Sequence, residues 1–128
     1  MPHFSKSSLD KLEGVDHRLW DLAFKVLARH DCKVIYGLRT HEEQARLYAA
    51  KLSKTMNSKH LTGRAIDLAP YPIDWDDTKR FYYFAGIVLA TADEMGIRLR
   101  WGGDWDMDND LNDQKFMDLV HFELRDEI

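Results

Sequence analysis

Along this chain the apolar residues switch between a three-to-four-residue repeat and a two-residue repeat at irregular intervals. That irregularity limits the folds open to it. Leu12, Val15, Leu19, Leu22, Ala23, Val26 and Leu27 recur at helical steps and predict a helix over residues 7–30, with Gly14 as a break. Lys33 to Leu38 is short, apolar and β-branched, which predicts a strand. Thr40-His41-Glu42-Glu43 fits a capping box, so a second helix should start there and run to about Leu52, followed by a polar loop from Ser53 to Lys59. From Arg64 to Pro70 the pattern alternates, with Ile66 and Leu68 on one face and Ala65, Asp67 and Ala69 on the other. Residues 77–95 read as the longest helix, stopped by Gly96 in the position of a left-handed C-terminal glycine. Ile97–Trp101 and Leu119–Leu124 are two more strand candidates, joined by an acidic loop from Gly102 to Asp113. No regular βαβα alternation emerges. The prediction is an α+β fold, with a small, mostly antiparallel sheet and flanking helices.

The 128 residues suit one domain spanning 1–128. Four Trp, five Tyr and six Phe supply bulk for a core. Eighteen Lys and Arg against 22 Asp and Glu give a net charge of −4, which argues against a nucleic-acid partner. No apolar run approaches the ~20 residues of a membrane-spanning helix, so membrane insertion is not expected. The single cysteine, Cys32, excludes an intrachain disulfide and reads as a small half-buried residue at a strand start. Met1-Pro2-His3-Phe4-Ser5 lacks the basic-then-apolar pattern of a secretory signal. Synthesis in the cytoplasm is therefore expected, as a monomer.

Of six histidines, His3, His17, His30 and His41 sit among polar neighbours and read as surface residues. His60 has different company, in Ser58-Lys59-His60-Leu61-Thr62-Gly63-Arg64-Ala65-Ile66-Asp67. A turn at Thr62-Gly63 would fold its imidazole toward the Asp67 carboxylate, bringing together two of the three protein ligands of a catalytic zinc. Ala65 shares the face of Asp67 and leaves room for an ion. His-x6-Asp alone is a weak pattern. His121, in Asp118-Leu119-Val120-His121-Phe122-Glu123, is either a core histidine bonded to backbone or the third ligand. If it is a ligand, Asp118 is placed to act as general base on a metal-activated water. Glu123, two residues on, either orients a ligand histidine or faces solvent.

Together the two segments resemble the zinc D-alanyl-D-alanine peptidase family, which includes vancomycin-resistance dipeptidases and phage L-alanyl-D-glutamate peptidases. The family pattern Ser-x-His-x-x-Gly-x-Ala-x-Asp is matched by Ser58, His60, Gly63, Ala65 and Asp67. Its second element, an acidic residue, two residues and then the zinc histidine, is matched by Asp118-x-x-His121. Asp rather than Glu at 118, the ending His-Phe-Glu-Leu, and Arg98-Leu99-Arg100-Trp101-Gly102-Gly103-Asp104-Trp105 resemble the phage endolysin branch. The likeness spans roughly Lys33 to Leu124.

The resemblance implies the small α+β zinc peptidase fold shared with Hedgehog-like domains. It implies one Zn²⁺ on His60, Asp67 and His121, with Asp118 as catalytic base and later acid. Arg39 would help hold the substrate carbonyl or carboxylate, and Ser58 would bond substrate or support its loop. Arg39 and Arg64 are both candidates to meet the D-Glu carboxylate. The implied substrate is a peptidoglycan stem peptide cut at L-Ala-D-Glu for host lysis. The enzyme would be made in the host cytoplasm and reach the periplasmic wall through a pore. Rival readings are a D-Ala-D-Ala carboxypeptidase or dipeptidase, and a metal-stabilised wall-binding module without turnover.

Two further features need only modest explanations. Asp104, Asp106 and Asp108 resemble the start of an EF-hand loop, but Asn109 replaces the sixth-position glycine and Lys115 the twelfth-position glutamate. A solvated loop bordering the active site is the favoured reading, with a regulatory Ca²⁺ as the minor alternative. Phe81-Tyr82-Tyr83-Phe84 spread around a helix, giving core packing plus one or two rim residues.

Overall fold

Residues 3–53, 58–113 and 118–125 are described in a computed structural model. The expected first helix is two, broken where Gly14 takes φ +78°: α1 (Lys6–Leu12) and α2 (His17–Arg29). β1 (Cys32–Tyr36) follows, one residue earlier at its start and two shorter at its end than the sequence suggests. α3 (His41–Ala49) carries the Thr40–Glu43 capping box in both directions. It stops short of Leu52 because Lys51 turns into the left-handed region at φ 61°. A 3₁₀ turn (Lys59–Thr62) leads into β2 (Ala65–Pro70). α4 (Thr78–Glu94) ends at Gly96, φ +71°. β3 (Leu99–Gly102), a 3₁₀ turn (Leu111–Asp113) and β4 (Asp118–Leu124) complete the order.

The four strands form one antiparallel sheet in the order β1-β2-β4-β3. The two-residue alternation sorts its faces. Val34, Ile66, Leu68, Trp101, Phe122 and Leu124 join Leu19, Leu22, Val26, Phe84, Ala85 and Val88 of α2 and α4 in the main core. Leu19, Leu22, Val26, Ile66 and Leu68 have no exposed surface. The opposite face carries Asp67 on β2, and His121 and Glu123 on β4. Cys32 is buried at the strand start, and burial pushes its thiol up to about 12, so it stays protonated and inert. Phe81 and Phe84 are buried while Tyr83 is exposed, as the helical spread requires. Among the described residues no helix is long and apolar enough to cross a membrane.

One glycine ties the core layer to the other face. Gly63 ends the 3₁₀ turn at φ +72°, and its carbonyl accepts from Asp16 N–H (2.8 Å) at the start of α2. A Cβ there would lie 2.3 Å from the Gly14 carbonyl oxygen. Gly63→Ala should therefore destabilise the fold by about 1–3 kcal/mol, combining left-handed strain with the clash. Urea unfolding measures this, and an unchanged midpoint would refute the packing argument.

Candidate metal centre and substrate cleft

β2 and β4 are the central strands, and their register sets Asp67 directly opposite His121. Both side chains leave the sheet on the same face. The 3₁₀ turn brings His60 over them. Ser58 Oγ caps that turn by accepting from His60 N–H (3.2 Å), and Arg39 N–H donates to the His60 carbonyl (2.9 Å). Three polar atoms then converge. His60 Nε2 lies 3.0 Å from Asp67 Oδ1, His121 Nδ1 lies 3.2 Å from the same oxygen, and the two ring nitrogens are 3.2 Å apart. All three residues are at least nine-tenths buried.

The outer nitrogens are already engaged. His60 Nδ1 is 2.8 Å from the Gly37 carbonyl, which can only accept, so that nitrogen carries the hydrogen and Nε2 presents its lone pair. His121 Nε2 is 2.9 Å from Glu123 Oε1 and donates to it. Glu123 thus takes the inward of its two expected orientations. Its carboxylate also accepts from Arg100 Nε (3.2 Å) and Nη2 (2.8 Å), and Lys59 Nζ stands 3.4 Å away. This is how histidine metal ligands are held, with the outer N–H fixed by a carbonyl or carboxylate. The spacing fits too, since ligands at zinc bond lengths and tetrahedral angles stand roughly 3.3 Å apart. The His-Asp-His group can hold a metal ion.

Asp67, His121 and Glu123 shift one another's proton affinities. Burial pulls the His121 pKa down, but bonds to Asp67 and Glu123 outweigh it and raise it to about 9. Burial likewise pushes Asp67 up, and its bonds from His121 and His60 win, leaving it well below the carboxylate range. Burial pushes Glu123 up, and the bonds from His121 and Arg100 bring it down to about 2.

Asp118 reaches the same cleft by an irregular route. Strand parity places it opposite in face to His121. The β3–β4 ladder pairs Trp101 with Phe122 and then Gly102 with Asp118, skipping three residues of β4. The backbones approach so closely that a Cβ on Gly102 would lie 2.2 Å from the Asp118 carbonyl oxygen. Burial first, then the Asp67 charge, raises the Asp118 carboxyl above its ordinary value.

The cleft, about 660 Å³, has two cation–aromatic flanks. On the His60 side, the Arg39 guanidinium lies 4.9 Å from the Tyr36 ring centre, and Tyr36 meets His60 edge-on. On the His121 side, Arg100 lies 5.7 Å from the Trp105 ring, which leans on His121. Ser58, Lys59 and Asp118 also line the cleft; Arg64 does not, having the parity of Ile66 and Leu68. Tyr36, Arg100 and Trp105 escape a motif search, although Arg100 and Trp105 lie in a segment that carries the family likeness. The acidic loop differs from a solvated one at Asp104, which is buried and accepts from Asn109 N–H (3.0 Å). Ligand oxygens of Asp104, Asp106 and Asp108 lie within 4.8 Å of one another. Lys115 lies outside the described residues.

A family model for phage L-alanyl-D-glutamate peptidase matches residues 1–125. The chain belongs to the phage L-alanyl-D-glutamate peptidase family. A relative of that name from Escherichia phage T5 is 34% identical over 119 residues, covering 87% of each chain. Among solved structures, the Serratia marcescens L-Ala D-Glu endopeptidase ChiX superposes with a TM-score of 0.79 at 29% identity, over 96% of this chain and 90% of that one. The vancomycin-resistance D,D-pentapeptidase VanY, solved in complex with Zn(II), shares the fold at a TM-score of 0.51 and 17% identity, over 84% and 68%. The peptidase family and the α+β zinc peptidase fold implied by the sequence resemblance are thus both found.

The network makes Glu123 the brace of the His121 ring in a group that could hold a metal ion. Glu123→Gln should weaken zinc binding by about 10–100-fold while the protein still folds. Competition with a fluorescent chelator measures it, and unaltered affinity would remove Glu123 from that role.

Proposed function

We propose that this chain is a zinc-dependent peptidoglycan endopeptidase that hydrolyses the L-Ala-D-Glu bond of stem peptides, an endolysin that opens the host wall. Residues 1–128 form its one peptidase domain, working as a monomer. It is made in the host cytoplasm and meets the periplasmic wall after release through a pore. The observation that carries the reading is the convergence of three ligand atoms whose outer hydrogen bonds are already satisfied, in a member of this family.

In this reading His60 Nε2, Asp67 Oδ1 and His121 Nδ1 hold one Zn²⁺. A zinc ion bound there supplies Lewis acidity, polarising the scissile carbonyl and bringing a water toward a pKa of ~7. The Asp118 carboxylate takes the proton from the attacking water and delivers it to the departing nitrogen of D-Glu. Arg39 holds the substrate from the Tyr36 flank, and Ser58 holds the turn that presents His60. Arg64 has no part, because it is off the cleft wall.

Digestion of Gram-negative peptidoglycan, with and without chelator, tests the whole reading by mass spectrometry of the new termini. New N-terminal D-Glu that disappears with chelator is expected. Released D-Ala would move the activity to the carboxypeptidase class. No cleavage by zinc-loaded protein would leave a wall-binding module.

Asp118→Ala should lower turnover by at least about 100-fold, the usual scale of general acid–base catalysis, while one zinc stays bound. His121→Ala should lose the zinc, and a stoichiometric ion in that variant would break the ligand assignment. Proton and metal compete for His121 Nδ1, so zinc uptake at pH 7 should release about one proton. Calorimetry in buffers of different ionisation enthalpy counts it. The sign follows from the raised pKa: protonated His121 stabilises the metal-free fold below about 6.5, and that contribution fades as pH rises through about 9.

A calcium ion on the 104–108 loop is a second, separate proposal. It is favoured by Asp104 Oδ1, which is buried without a hydrogen-bond partner beside the other two carboxylates. Adding calcium to the zinc enzyme should change activity once its concentration reaches roughly 1 mM, and no response there removes the proposal.

A further inference from the structure

On the β3 flank of the cleft two cations meet one carboxylate. Arg100 donates from Nε (3.2 Å) and Nη2 (2.8 Å) to Glu123 Oε2, and Lys59 Nζ stands 3.4 Å from the same oxygen while donating to the Leu124 carbonyl. The Glu123 side chain is buried, whereas those of Arg100 and Lys59 are 38% and 32% exposed and line the cleft. Neither cation stands within ion-pair distance of a second carboxylate among the described residues. One carboxylate answers one of the two charges and leaves the other over. The Arg100 fork is also clamped. Glu123 takes its Nε–Nη2 edge and the Trp105 ring lies 5.7 Å from it, while Nη1 has no acceptor among the described residues. A guanidinium fixed on two sides with an open edge suits a carboxylate from outside the chain.

β3 sets this surplus beside Asp118. Arg100 faces Glu123 across the β3–β4 ladder, and Gly102, two residues further along β3, packs on the Asp118 backbone. Two strand residues span about 7 Å. In the reading above, Asp118 delivers a proton to the departing nitrogen of D-Glu. That nitrogen is bonded to the α-carbon, and when the peptide continues through the side-chain carboxyl the same carbon bears the free carboxylate. The carboxylate therefore cannot be far from the atom that Asp118 must reach. Arg39 stands on the opposite flank, with Tyr36 and His60.

We propose that Arg100 and Lys59 form the subsite for the free α-carboxylate of the D-Glu residue, with Glu123 holding the Arg100 fork while cancelling only one of the two charges. This rests on the endopeptidase reading above. The bond from Arg100 to that carboxylate is charge-assisted, and exchanging the carboxylate for a carboxamide forfeits the assistance.

Binding to a variant that does not turn over tests this. Zinc-loaded Asp118→Ala is titrated with an N-acetyl-L-Ala-γ-D-Glu peptide that bears the free α-carboxylate, and with its α-carboxamide. The carboxylate should bind about 10-fold or more tighter. Adding Lys59→Met, which leaves the Arg100–Glu123 pair in place, should cut that preference, and Lys59→Arg should keep it. Adding Arg100→Gln, with zinc occupancy confirmed, should erase most of what remains. Equal affinity for the two peptides before these changes, or none for either, overturns the proposal. So does a preference that survives both substitutions, or a loss that is the same for both peptides, as cations serving only to brace Glu123 would give. A preference abolished by Arg39→Met and untouched at Arg100 and Lys59 overturns it by moving the carboxylate to the opposite flank. Failure of the endopeptidase reading shows separately, as absent cleavage of the L-Ala-D-Glu bond by the zinc-loaded native chain. In turnover, Lys59→Met should raise KM for the carboxylate peptide far more than it lowers kcat.

Discussion

The pairing of Asp67 with His121 across the two central strands is the constraint on which the rest depends. A carboxylate with almost no exposure is tolerable only if it is answered by hydrogen bonds and positive charge. Two imidazoles answer it here, and each must then place its second nitrogen. His60 uses the Gly37 carbonyl, which explains why the β1–α3 connection packs on the 3₁₀ turn. His121 uses Glu123, which itself requires Arg100 and Lys59. A shift of the β2–β4 register by one residue would turn Asp67 or His121 into the apolar core and leave it unanswered. The apolar alternation that buries Ile66, Leu68, Phe122 and Leu124 therefore also fixes the site.

What could be read in the sequence was what is local. The Thr40–Glu43 capping box, the Gly63 turn and the alternation of β2 each depend on residues within a few positions of one another, and all are present. His60 and Asp67 belong to one such local unit. His121 was ambiguous alone because a buried histidine looks the same in sequence whether it bonds a carbonyl or a metal; the family pattern, not its own neighbourhood, separated the two. Glu123 was ambiguous for another reason: period two gives a shared face but not whether anything covers it.

Three residues are placed by tertiary structure, even where the sequence singles one out, as it does Asp118. Asp118 has the wrong parity for the site and arrives only because the β3–β4 ladder slips, which Gly102 permits by lacking a Cβ. Arg64 is chemically suited to a carboxylate and adjacent in sequence to the site, yet parity turns it away. Gln44 looks like any polar residue on a short surface helix. Its burial arises from Arg39 before the helix and Ser53 beyond it closing over the same side chain, a tertiary event with no periodic signature.

The charge balance of the cleft is separable from that of the chain. The protein is acidic overall, with a net charge of −4, yet the groups that line its cleft are not. Glu123 is matched by Arg100 and Lys59. Asp67 is matched by a proton on His121 or by a cation in its place, and a divalent ion there brings one more positive charge than Asp67 cancels. Asp118 offsets that excess until it takes up a proton. Arg39 remains, a guanidinium held by a neutral amide. Within the range of a Debye length, about 8 Å at physiological salt, an anionic peptide meets this local arrangement rather than the distant acidic surface. A cleft in an acidic protein can thus suit an anionic peptide, because the few groups that line it carry the opposite balance.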